Sequence, residues 1–242
     1  MKQPILIACS HGTDNSAGRA AINQLREELR QLRPGLEVRE AYVDVQQPAL
    51  PDVVAGLPEG APAVVLPLLL TVGYHVLVDV AQAAASRPLT GAAAPLGPDP
   101  RLAQVLADRL TEIPGFGPHW SVVLASAGSS RPEAELAMEV TAEFLRASIP
   151  NTVRLGFGAG AQPRVPEAVA LARAAAADAD ATGESAPIAV ASYLLAPGYF
   201  QDQLAKAEAD AVAQALLPDR RIAEVALERY DQACQELQEL SA

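Results

Sequence analysis

The chain has 242 residues, of which 50% are hydrophobic and only 4% aromatic, so it can bury a large aliphatic core as one big α/β domain or two small ones. Its 18 Lys and Arg stand against 29 Asp and Glu, a net charge of -11, which argues against a general nucleic-acid surface but leaves room for a local site for an anionic small molecule. Cys9 and Cys234 form neither a CxxC nor a disulfide framework, and there is no signal-type leader or apolar run of about 18 residues, so a soluble cytoplasmic protein is expected.

In chain order, residues 4 to 9 read as an apolar strand that ends in Ser10-His11-Gly12-Thr13. A helix follows over 16 to 32, with Ala21, Ile22, Leu25, Leu29 and Leu32 on its apolar stripe and Arg26, Glu27, Glu28 and Arg30 expected on its wet face. Pro34-Gly35 stops it, and residues 36 to 43 form a second strand that hands over to Asp44. A third strand begins at Val64 and breaks at Thr71 to Gly73, delivering Tyr74 and His75. Residues 76 to 85 read as a helix, 87 to 93 as a loop and fourth strand, and 102 to 110 as a helix. This βα repetition predicts a mostly parallel sheet with helices on both faces.

Residues 111 to 118 hold two prolines and two glycines, and mark a boundary. Beyond them the first half is written again. Val122 to Ser129 aligns with Leu6 to Thr13 at an offset of 116, Leu194 to Phe200 with Leu69 to His75 at 125, and Pro218 to Val225 with Pro98 to Val105 at 120. Ordered matches with slowly drifting offsets signal an internal repeat. Two domains of one fold are expected, 1–115 and 116–242.

The repeat supplies an internal control. His11 is replaced by Ala127, His75 by Phe200 and, in a weaker alignment at 115, Asp44 by Ala159, while neighbouring glycines and the tyrosine persist. The chemistry is therefore assigned to the first half. Two imidazoles and a carboxylate at strand ends suit a borderline divalent ion such as Fe²⁺, Co²⁺, Ni²⁺ or Zn²⁺, and such a set leaves coordination positions open, unlike a four-ligand structural zinc site. His11 and His75 are the candidate metal ligands and, with Asp44, the candidate catalytic groups. Asp44 has the alternative of capping the helical segment near Pro48. Ser10, Gly12, Thr13, Gly73 and Tyr74 are candidates to shape the pocket, through tight turns and backbone N–H groups among others. His119, beside Trp120, reads as a surface or packing residue, and Cys9 as a small buried hydrophobe. No Gly-x-Gly-x-x-Gly follows the first strand and no P-loop is present, so a nucleotide site has no anchor.

Ser10-His11-Gly12-Thr13, the block Pro67 to Asp79, and Pro95-Leu96-Gly97-Pro98-Asp99-Pro100 together resemble the sirohydrochlorin chelatase family, in its long form with two fused chelatase-like domains. The resemblance covers nearly the whole chain. It implies a class II chelatase that inserts Fe²⁺ or Co²⁺ into sirohydrochlorin without ATP, for siroheme or cobalamin synthesis. It also implies that His11 and His75 handle the metal, and that Asp44 stands where relatives commonly carry Glu. The implied partner is a tetrapyrrole held in a cleft between the domains, with Arg19 and Arg87 as possible carboxylate donors. No nucleic acid, membrane or permanent cofactor is implied, the divalent ion being substrate, and the chain is expected to act as a monomer. Iron is favoured because siroheme is needed by many organisms that make no cobalamin. The rival readings are a cobaltochelatase, a non-catalytic divalent-metal carrier or sensor, and a hydrolase with His11 as nucleophile, the last lacking the Arg-His-Gly setting and nearby arginines expected for phosphate.

Overall fold

The computed structural model describes residues 3–71, 74–129, 131–179 and 186–240, except the side chains of 74–77 and 178–179. Among these residues the chain divides into two compact units, each built on its own four-stranded, all-parallel sheet.

The first unit comprises residues 1–96 and 217–242. Its strands are β1 (Ile5–Ser10), β2 (Val38–Tyr42), β3 (Ala63–Pro67) and β4 (Thr90–Ala92), in the order β2-β1-β3-β4. Every residue of β1 and β3 is buried, as expected of strands covered by helices on both faces. Between the strands run α1 (Ser16–Leu32), α2 (Leu50–Ala55) and α3 (Tyr74–Ala85). Asn15 caps α1 by accepting from the Gly18 amide at 2.9 Å. Ile5, Ile7, Cys9, Val65, Leu50, Val54, Val80 and Ala84 form one apolar layer against a sheet face.

The second unit, residues 97–216, repeats the plan. It has β5 (Ser121–Ser126), β6 (Val153–Phe157), β7 (Ile188–Tyr193) and β8 (Ala211–Val212) in the order β6-β5-β7-β8, with α5 (Pro132–Ser148), α6 (Val165–Ala179) and the short α7 (Tyr199–Leu204) between them. The remaining helices are α4 (Pro100–Thr111) and α8 (Arg220–Glu239). By sequence each is the last element of its repeat, yet they are exchanged. α4 packs on α5 and β7, whereas α8 packs on α1, β3 and β4. The compact units therefore change over at 96/97 and 216/217, and the Pro- and Gly-rich segment 111–118 lies inside the second unit, between α4 and β5.

Polar bonds tie α8 into its unit. Arg33 forms a two-point ion pair with Asp231, with Nη2 to Oδ2 at 2.7 Å, Tyr230 donates to the Pro4 carbonyl, and Arg229 reaches the Pro95 carbonyl at 3.2 Å. The Asp231 carboxylate is the main cause of the raised pKa of Arg33, and burial is the main cause of those of Tyr230 and Cys234.

One expectation from the helical pattern is corrected. Arg26 does not face water but is only 2% exposed. Positions 22, 25, 26 and 29 together make the buried stripe of α1, and the guanidinium at its centre is compensated by hydrogen bonds rather than solvent. No helix among the described residues is long and apolar enough to cross a membrane.

Candidate metal-handling site

In the first sheet β1 connects through α1 to β2 on one side, and β3 connects through α3 to β4 on the other. The connections diverge between the adjacent, parallel strands β1 and β3, and this is the point of an open α/β sheet where a crevice forms at the carboxyl ends. His11 is the first residue after β1, and His75 is the second residue of α3, which follows β3. The two histidines thus flank the switch point. Gly73 lies outside the described residues, and so do the side chains of Tyr74 and His75.

Asp44 comes to the same end through the backbone. The pairing of β1 with β2 extends past the strands, as Val43 N–H donates to the Ser10 carbonyl at 3.1 Å and Asp44 N–H to the His11 carbonyl at 2.9 Å. Both side chains are exposed. Asp44 accepts the Val45 amide at 2.8 Å and does not cap α2, whose N-cap is Ala49. Gly12, at φ +98°, is required by this approach, because a Cβ there would lie 2.1 Å from the Asp44 carbonyl oxygen. Thr13 N–H donates to Gln46 Oε1 at 2.9 Å, clamping the turn after β1 to the segment after β2.

The second unit reproduces this framework without the polar groups. Gly128, at φ +85°, faces the Ala159 carbonyl at 1.9 Å from a would-be Cβ, and Gly158 N–H donates to the Ser126 carbonyl at 2.8 Å. These contacts settle the alignment of Asp44 with Ala159 at an offset of 115. A Cβ on Gly158 would meet both the Ala127 carbonyl and the Phe200 ring at 3.0 Å. Residues 127, 159 and 200, the counterparts of 11, 44 and 75, therefore converge at one strand end, where Ala127 and Phe200 pack against the apolar core.

Asp79 lies near the carboxyl end of β1. It stands one turn after position 75 on the same face of α3, and its charge is felt by the Cys9 thiol at the end of β1. It also lines a cleft with Val43, Leu50, Pro51 and Gln82. Cys9 is fully buried, and burial pushes its thiol up to about 12, so it is a core residue rather than a thiolate ligand. Among the described residues no group of three His, Cys, Asp or Glu side chains is gathered as a metal cage.

Arg26 is the residue that sequence reasoning missed. Its guanidinium donates to the Ala8 carbonyl at 3.2 Å, Ser10 Oγ at 3.1 Å, Tyr42 Oη at 3.1 Å and Asn23 Oδ1 at 2.9 Å, and it lies 3.6 Å from Glu40. It cross-links the ends of β1 and β2 directly beneath His11 and Asp44. Ser10 is buried and held by this bond. The counterparts of Arg26, Glu40 and Tyr42 in the second repeat are Ala142, Leu155 and Phe157, so the network is confined to the half that carries the histidines. The spacing of position 26 within the α1 stripe was the available signal.

Of the two proposed carboxylate donors, Arg19 is at the correct end of the sheet, with Nε on the Thr13 carbonyl at 2.7 Å and Nη2 on Asp14 at 3.1 Å. Arg87 is at the opposite end, where the carbonyls of Pro58 and Ala61 before β3 hold its guanidinium. His119 is exposed near Trp120, as expected.

The two units share one topology, with His11 and Asp44 at the strand ends of the first where the second has Ala127 and Ala159. The chain matches CbiX over residues 5–113 and again over 121–233, and it belongs to that family, as a metal chelatase with two fused domains. Comparison with curated proteins gives no match. Among solved structures, SirB from Bacillus subtilis with Fe³⁺ has a TM-score of 0.78 at 18% identity, covering 99% of this chain and 98% of that one. SirB from Bacillus subtilis subspecies spizizenii in complex with cobalt has a TM-score of 0.74 at 18% identity, covering 97% and 96%. CbiX, described as the terminal enzyme for biosynthesis of siroheme in denitrifying bacteria, has a TM-score of 0.64 at 18% identity, covering 95% and 99%. These likenesses establish the shared fold.

Proposed function

We propose that this chain is a sirohydrochlorin ferrochelatase, inserting Fe²⁺ into sirohydrochlorin without ATP to give siroheme, and that the first sequence repeat carries the chemistry. The observation that supports this most is the placement of His11 and His75 on either side of the switch point, set against Ala127 and Phe200 on the same framework in the second repeat. Neutral imidazoles bind a divalent ion and exchange protons near pH 7. In the reaction the two metal bonds to imidazole nitrogen give way to bonds from the pyrrole nitrogens, and two pyrrole protons leave to bases at the site. His11 and His75 hold the ion and accept protons, while Asp44 orients a histidine or receives a proton. Gly12, Thr13, Gly73 and Tyr74 shape the wall against the macrocycle, and Ser10 acts through its bond to Arg26. The ion is substrate and departs in the product, so no resident cofactor is invoked. Cobalt is the second reading, favoured by the existence of related structures with iron and with cobalt.

An anaerobic spectrophotometric assay with Fe²⁺, Co²⁺ and Ni²⁺ tests the proposal. Iron insertion is expected, with His11→Ala and His75→Ala each losing roughly 10²-fold in rate per folded molecule and Phe200→Ala retaining it. Faster turnover with cobalt makes the chain a cobaltochelatase. Metal binding without insertion makes it a carrier or sensor, and a normal rate in His75→Ala removes the site assignment.

A further inference from the structure

Three non-glycine residues among those described have positive φ: Val45 at 60°, Leu89 at 57° and Glu208 at 59°. Leu89 and Glu208 lie just before β4 and β8, at the amino ends of the two sheets. Val45 is different. It follows Asp44 at the carboxyl end of the first sheet and is the centre of a three-residue turn closed by Gln46 N–H to the Asp44 carbonyl at 2.6 Å. The second repeat builds the same turn, with Ala161 N–H on the Ala159 carbonyl at 2.9 Å, around Gly160 at φ +72°.

A β-branched residue is the poorest choice for this conformation, and glycine, which the sister turn uses, is the best. Val45 gains no compensating burial, since it is 50% exposed. A strained, water-facing isopropyl group is a cost to folding that the turn itself does not require. Its surroundings indicate a use. The turn touches Gly12, where a Cβ would stand 3.2 Å from the Gln46 amide, and Gln46 is bonded to Thr13. Val45 is thus an exposed apolar group fixed between Asp44 and the turn that follows His11.

We propose that Val45 is a substrate-contact residue whose isopropyl group packs on the apolar ring face of the tetrapyrrole and sets its seat over the metal, at the expense of fold stability. This rests on the chelatase reading above. Replacing the side chain by the residue of the sister turn separates the two effects, because a structural residue loses stability when truncated whereas this one gains it.

The test uses the full chain with Val45→Gly, Val45→Asn and the conservative Val45→Ile. Val45→Gly is expected to unfold about 2–6 °C higher and to raise the KM for sirohydrochlorin roughly 5–20-fold, with the KM for Fe²⁺ unchanged. Val45→Asn relieves the strain without restoring the apolar contact and should share the raised KM, whereas Val45→Ile should keep the wild-type value. Unchanged sirohydrochlorin KM in Val45→Gly, an altered oligomeric state in place of an altered KM, or a lower unfolding temperature overturns the inference while the chelatase reading stands. A wild-type chain that neither binds sirohydrochlorin in a fluorescence titration nor turns it over overturns both.

Discussion

A single methyl group at Gly12 tests how closely the ends of β1 and β2 must be held. The Cβ of Gly12→Ala would fall 2.1 Å from the Asp44 carbonyl oxygen, and at φ +98° the backbone itself disfavours alanine. Reaching even a tight contact requires roughly 1 Å of displacement between the turn after His11 and the turn at Asp44, and a misplacement of that size can cost about 10²-fold in rate. Gly128→Ala is the matched control, since its Cβ would fall 1.9 Å from the Ala159 carbonyl oxygen in the same framework. Both variants are expected to lose about 1–3 kcal/mol of stability. Only Gly12→Ala should lose insertion rate, by about 10²-fold per folded molecule. Urea unfolding followed by circular dichroism gives the first quantity, and anaerobic insertion normalised to folded protein gives the second. Equal rate losses in the two variants would refute the division of labour between the repeats.

Arg26→Met keeps most of the side-chain stem but removes the donor to the Ala8 carbonyl, Ser10 Oγ and Tyr42 Oη, and should cost about 2–4 kcal/mol in urea unfolding, together with insertion rate. Stability unchanged within error would show that the network is not what holds the two strand ends. The Cys9 thiol, with its pKa raised from 9.0 to about 12 by burial, contributes stability that is intact below pH 9.0 and is lost as pH rises toward 12. Cys9→Ala should flatten that part of the stability profile in alkaline unfolding, and an unchanged profile would assign the loss to other groups. Fragments 1–116 and 117–242 each lack the helix that packs on their sheet, α8 and α4 respectively, so neither should show a cooperative thermal transition alone, while their mixture should recover one. A sharp transition in 1–116 by itself would show that α4 can serve its own sheet.

The parallel sheets, the placement of His11 and His75 and the duplicated framework were legible because each rests on a local signal: buried β-rich runs, polar residues just past them, and residues such as Gly12 and Gly128 whose geometry admits little else. Arg26 was hidden by its charge. The stripe of Ile22, Leu25 and Leu29 includes position 26, but a guanidinium on that stripe is tolerable only because acceptors from β1 and β2 meet it, and no local pattern announces them. Val45 was illegible for the complementary reason. Nothing in its composition marks a valine at φ +60°, and only the sister Gly160 shows that the turn asks for glycine.

The exchange of α4 and α8 lies deeper still. Both helices open on an Asp N-cap that accepts from the amide two residues on, Asp99 from Arg101 at 3.0 Å and Asp219 from Arg221 at 2.9 Å, and both present an aliphatic stripe. The preceding segments also match, with Leu96 N–H on the Leu69 carbonyl and Leu216 N–H on the Leu194 carbonyl, each at 2.9 Å. Duplication therefore leaves two helices chemically suited to two equivalent grooves, and periodicity cannot say which goes where. The Arg229 bond to the Pro95 carbonyl is matched in α4 by Arg109 on the Leu216 carbonyl at 3.2 Å, so what distinguishes the helices is the pairing of Asp231 with Arg33 and of Tyr230 with the Pro4 carbonyl. These bonds join a late helix to the amino-terminal strand and helix of the unit that holds His11. The second repeat has Ala127 and Phe200 where the first has His11 and His75, yet its last helix packs on α1, β3 and β4 of the first unit, so each repeat supplies the helix that packs on the other's sheet.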